Sequence, residues 1–149
     1  MHHPSRWLAH GTVLCLLLSC GDSAGPNAIT GDFALTSVNG APPPGLVGAT
    51  IDCDELIASG TLGLTSDHAF ILGGVVQFDC TRAGGQIQTQ VLSLGGSYVQ
   101  NGHTLTFTLP GQGSISGQFN GTTVTTTIPA TPFTFPTDVA LVFTLQSPP

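Results

Sequence analysis

The side chains in this sequence that could do chemistry are few: four cysteines, five histidines and eight carboxylates, with no lysine at all. Cys53 and Cys80 match no Cys-x-x-Cys metal spacing. In an exported protein they read as one disulfide rather than as zinc ligands. Asp52, Asp54 and Glu55 crowd Cys53, Asp79 adjoins Cys80, and Arg82 follows. A disulfide would gather these acids on one rim. Their order lacks the alternating oxygen ligands and turn glycine of a calcium loop, so a solvated rim is expected, with Arg82 relieving part of the repulsion. His68 and His103 each fall at an expected turn, and as a pair they lack a third ligand. No metal or cofactor is expected. Gly21-Asp22-Ser23-Ala24-Gly25 spells the Gly-x-Ser-x-Gly of a hydrolase elbow. That elbow needs a buried strand before it and a helix after it, whereas Pro26 follows here. Since no nucleophile, base and acid converge, the chain is expected not to be an enzyme.

Cys20 is the exception. Arg6 precedes a short apolar run that ends in Leu17-Leu18-Ser19-Cys20. The run falls short of the roughly 20 apolar residues a spanning helix needs and suits an export signal. Its end resembles the bacterial lipobox, in which a branched apolar residue and a small residue precede a cysteine. The resemblance implies that residues 1–19 are a lipoprotein signal peptide, cut before Cys20. It also implies that the Cys20 thiol carries a diacylglyceryl group. A second acyl chain on the new amino terminus would make the anchoring stable, because one chain holds only marginally. Small and polar residues follow, so 20–30 read as a flexible tether and 31–147 as the folded domain. The chain is thus expected to be exported and held to a bacterial membrane by lipid. By analogy with sorting in diderm bacteria, Gly21 after the anchor permits the outer membrane or its periplasmic face.

Charge excludes other partners. The formal net charge is −6, and loss of residues 1–19 would leave Arg82 alone against all eight acids. Nucleic-acid binding needs clustered Lys or Arg, and so does charge-driven binding to anionic lipid. Neither is expected.

The elements that must position these groups follow from period-two alternation, which recurs from Phe33 to the end without helical spacing. Phe33 and Leu35, Leu62 and Leu64, Phe70 and Leu72, and Val76 and Phe78 alternate with small or polar residues. Farther on, Leu105, Phe107 and Leu109 do the same, as do Ile115 and Phe119, and finally Val139, Leu141, Phe143 and Leu145. Asn39-Gly40, Asn101-Gly102 and Asn120-Gly121 are hairpin signals, because tight turns need positive φ. Gly73-Gly74 predicts a bulge or bend. Pro42-Pro43-Pro44 reads as a stiff connector, and the segment from Pro129 to Pro136 interrupts the pattern. About eight to nine strands with one apolar face each predict an all-β, antiparallel up-and-down barrel. The outward positions are Thr, Ser, Gln and Asp rather than an apolar band with aromatic girdles, which argues against a membrane-spanning barrel.

Several segments carry a further likeness. Gly31-Asp32-Phe33-Ala34-Leu35-Thr36-Ser37-Val38-Asn39-Gly40 resembles the first strand of small lipocalin-like lipoproteins of bacteria. The Gly60–Phe70 hairpin, Gly96-Ser97-Tyr98 before Asn101-Gly102, and the closing Leu141-Val142-Phe143 are similar too. Phe33 stands where lipocalins proper have tryptophan, and Leu145-Gln146 brings no arginine. The resemblance implies a closed barrel with an apolar interior, lined by residues such as Phe70, Leu72, Tyr98, Phe107 and Phe143. Two uses are then expected: a non-catalytic barrel binding a small apolar ligand, or a structural or interaction module of the envelope with a filled core.

Overall fold

The computed structural model describes residues 28–131 and 135–146. Strands with one apolar face cannot bury that face alone, and here eight of the nine described strands curl until the faces meet. The nine are β1 (Gly31–Val38), β2 (Gly45–Ala49), β3 (Asp54–Leu64), β4 (Ala69–Asp79), β5 (Ile87–Asn101), β6 (Thr104–Leu109), β7 (Gly113–Phe119), β8 (Thr123–Ile128) and β9 (Val139–Leu145). A single 3-10 turn, Thr81–Ala83, stands between β4 and β5. Every pairing is antiparallel, in the spatial order β1-β9-β8-β7-β6-β5-β4-β3-β2.

Closure comes from β1. It pairs with β9 from Phe33↔Leu145 to Val38↔Leu141, and with β3 from Gly31↔Leu64 to Ala34↔Thr61. Eight strands therefore make the expected all-β, up-and-down barrel. The ninth, β2, lies beyond β1 on the lower half of β3, from Gly45↔Ile57 to Ala49↔Asp54. Asn101-Gly102 and Asn120-Gly121 turn between paired strands as expected. Asn39-Gly40, by contrast, is not a hairpin turn, because β1 and β2 pair with other strands and only the Val38↔Ala41 bridge closes that turn. Gly40, Gly102 and Gly121 take the positive φ values of 85°, 61° and 99°. Asn39 does more than turn the chain. Its Nδ2 donates to the Leu46 carbonyl and its Oδ1 accepts from Ala140 N–H, tying β2 to β9 across the turn.

The core runs along the barrel axis. Phe33, Val38, Leu105, Val124 and Val139 have no exposed surface. Threonines fill many outward positions, as the alternation requires.

A second local expectation is corrected. Gly73 and Gly74 do not form a bulge: they pair in unbroken register with Ser93 and Leu92 of β5. The irregularity lies on the partner strand, where Ile57 faces Val76 and Ser59 faces Val75, leaving Ala58 unpaired. The glycine is needed at position 74 for proximity, since a Cβ there would lie 3.0 Å from the Ser59 carbonyl oxygen.

The strands differ in length, and this gives the barrel two unlike ends. β3 and β4 have 11 residues and β5 has 15, whereas β6 has 6 and β8 has 6. At about 3.3 Å per residue, β3, β4 and β5 overshoot their neighbours by several residues. One end carries the β3–β4, β5–β6 and β7–β8 turns and the start of β1. The other carries the overshoot, β2 and the Cys53–Cys80 region.

Candidate functional site

Strand alternation directs the interior. Phe70 and Leu72 on β4, Tyr98 on β5, Phe107 on β6 and Phe143 on β9 are all buried. Phe70 and Phe107 meet edge to face with centroids 5.1 Å apart, and Tyr98 packs tilted against Phe107 at 6.4 Å. Such contacts fix aromatic rings in a preferred geometry. The structure thus brings the five sequence-derived interior residues into one core, and they fill it. A void of about 20 Å³ lies among Leu72, Phe107, Ile115 and Phe143. A second of about 20 Å³ lies among Leu35, Ile57, Phe135 and Phe143. Each is the size of about one water and lined almost wholly by carbon, so it suits neither water nor a ligand.

Tyr98 closes the end from which β1 starts. Its hydroxyl donates to the Ile29 carbonyl and lies 3.1 Å from the Thr65 carbonyl oxygen. Burial, and secondarily the Asp67 carboxylate, push this phenol above its ordinary pKa, so it remains a donor. Gln100 Oε1 accepts from Ile29 N–H at 3.2 Å. The fold therefore grips the chain at Ile29, at the end where β1 starts.

Cys20, and with it the Gly21–Gly25 segment, lies outside the described residues. The disulfide is present: Cys53 and Cys80 are joined, with a sequence separation of 27. It sits beside the Asp54↔Asp79 pair at the far end of β3 and β4. Arg82 Nη2 reaches Asp54 Oδ2 at 2.5 Å, and both groups are partly exposed. Asp79 Oδ1 instead accepts from the Thr81 hydroxyl at 2.6 Å and from Thr81 N–H at 3.0 Å. These bonds hold its carboxyl below the usual range, while burial pushes Glu55 up. The acids are thus spread over separate partners. No three of the His, Cys, Asp and Glu side chains among the described residues converge as metal ligands.

His68 and His103 do share a rim but do different things. His68 adopts φ 63° in the β3–β4 turn and packs its ring 5.5 Å from that of Tyr98. His103 Nδ1 lies 2.9 Å from the Phe119 carbonyl oxygen. Beside His68, the Thr65 hydroxyl donates to Asp67 and, with the turn backbone, holds that carboxyl below the usual range.

Sequence reasoning missed β2, the first half of β3 and the first half of β5. Gly45–Ala49 mixes glycine with apolar residues, and Ile87-Gln88-Thr89-Gln90-Val91 alternates but is too polar to read as half-buried. Comparison with protein-family models, with curated proteins and with solved structures finds no match to this chain.

Proposed function

We propose that this protein is a lipid-anchored, non-catalytic module of the bacterial cell envelope, and that its barrel is a filled scaffold rather than a carrier. The observation behind the choice between scaffold and carrier is interior volume. Sites that hold small molecules run to roughly 300–1,000 Å³. The two voids here are about 20 Å³ each. The Leu17-Leu18-Ser19-Cys20 pattern supports the anchor, and the Tyr98–Ile29 latch supports a defined exit for the tether. On this reading the tether end faces the membrane and the disulfide end faces away.

The test has two readouts on one preparation. The full chain is expressed with export in a diderm bacterium, and membranes are extracted with detergent. The wild-type chain is expected in the membrane fraction, with an intact mass carrying acyl groups on Cys20. Cys20→Ala is expected in the soluble periplasmic fraction. Retention of Cys20→Ala on membranes would overturn the anchor. Native mass spectrometry of the extracted wild type is expected to show no additional small molecule. A stoichiometric apolar ligand would restore the carrier reading.

A further inference from the structure

We propose that the free edge of β5, from Ile87 through Gly95, is a self-association surface that pairs antiparallel with the same strand of a second copy. The starting observation is backbone accounting. β5 is hydrogen-bonded to β4 along its length, from Ile87↔Asp79 to Ser97↔Ala69. On its other side β6 reaches only Ser97 to Asn101. Among the described residues, Ile87–Gly96 has no second partner. A strand edge with unpaired N–H and C=O groups is a template for another strand.

Folded proteins usually guard such edges with charge, proline, bulges or short strands, and the outer edge of β2 is guarded in this way. β2 has 5 residues, is bulged between Leu46 and Gly48, and lends its Leu46 carbonyl to Asn39 Nδ2. A side-chain carbon on Gly48 would collide with Pro136. The β5 edge has none of these devices. Ile87-Gln88-Thr89-Gln90-Val91-Leu92-Ser93-Leu94-Gly95 contains no charge and no proline, and its register with β4 is unbroken. Ile87 is 52% exposed and Val91 is 77% exposed.

Charge and register favour a second copy as the occupant. In a chain of net charge −6, two copies repel almost everywhere, but not along an uncharged strand. Directly opposed residues must face the same side of the sheet. That condition, together with the longest overlap, places the two-fold axis at Val91. Thr89 then faces Ser93 of the second copy, Ile87 faces Gly95, and Gln90 faces Leu92. The ladder stops before Gly96, which is packed against the Thr108 carbonyl. This isologous contact consumes the β5 edge of both copies, so assembly along this strand ends at the dimer.

The experiment uses the full chain in a Cys15→Ser, Cys20→Ser background, so it does not depend on lipidation. One cysteine is added at a time: Val91→Cys, Thr89→Cys, or Ile71→Cys as an exposed control. Sedimentation of the parent is expected to show a concentration-dependent dimer. Oxidative cross-linking is expected at least tenfold faster at position 91 than at position 71. Thr89→Lys with Val91→Lys places opposed cations on the edge and is expected to weaken the dimer at least tenfold, with circular dichroism unchanged. The proposal is overturned by a chain that stays monomeric at all concentrations, by a dimer that survives the double lysine change, or by equal cross-linking at Ile71→Cys.

Discussion

Truncation of Phe143 to alanine tests the filled core most directly. Phe143 is 1% exposed, stands between Leu35 of β1 and Val124 of β8, and borders both small voids. Removing its ring deletes buried apolar surface and merges the voids, because the closed ladder on either side prevents collapse. A buried Phe→Ala change costs about 3–5 kcal/mol. Against a typical stability of about 5–15 kcal/mol the variant should still fold. At about 4 °C per kcal/mol for a domain of this size, Tm should drop by about 12–20 °C. The enlarged void approaches the roughly 150 Å³ at which an apolar cavity stays dry and takes up benzene. The assay is thermal unfolding by circular dichroism, with and without benzene, for wild type and variant. Benzene should raise the Tm of Phe143→Ala and leave wild type unchanged. A loss below about 1 kcal/mol, or equal benzene stabilisation of wild type, would refute close packing around this ring.

Two further predictions concern the ends of the barrel. Replacing Cys53 and Cys80 together by serine opens a loop of separation 27, which the chain-entropy model values at about 3–4 kcal/mol. Urea unfolding should show that loss, with amide exchange rising first at Asp54–Ile57 and Gln77; a change under about 1 kcal/mol would count against it. Tyr98→Phe removes the hydroxyl that holds the Ile29 carbonyl and should cost about 1 kcal/mol. Limited proteolysis should then cut near Ile29 faster while the rest of the barrel resists, and unchanged cleavage would show that the latch is idle.

The barrel was legible where alternation was strong. Leu105-Thr106-Phe107-Thr108-Leu109 and Val139–Leu145 declare a strand and its inner face by residue type alone. Asn101-Gly102 and Asn120-Gly121 fix their neighbours because few residues tolerate the required φ. The interior candidates followed from the same periodicity, but their fit did not. Whether Phe70, Phe107 and Phe143 enclose a space or fill it depends on ring orientation and strand stagger, which no local pattern encodes. The lower half of β5 was hidden for a different reason. Its inward Gln88 and Gln90 are exposed and its apolar Ile87 and Val91 face outward, so the alternation there does not mark a core-facing strand. The Gly73-Gly74 pair misled because glycine serves both bulges and close approach, and here the partner strand carries the extra residue.

The latch at Ile29 has a mechanical consequence. Ile29 is tied to Tyr98 and Gln100 of β5 just before β1 begins, and β1 is bonded on both flanks, to β9 and to β3. A pull from the amino-terminal side meets these Ile29 bonds first, and once it runs along β1 it loads two ladders in shear, with their hydrogen bonds strained together rather than peeled one after another. A protein dragged by its tether would meet that force with its most resistant geometry, and the strand that closes the barrel would be the last to yield.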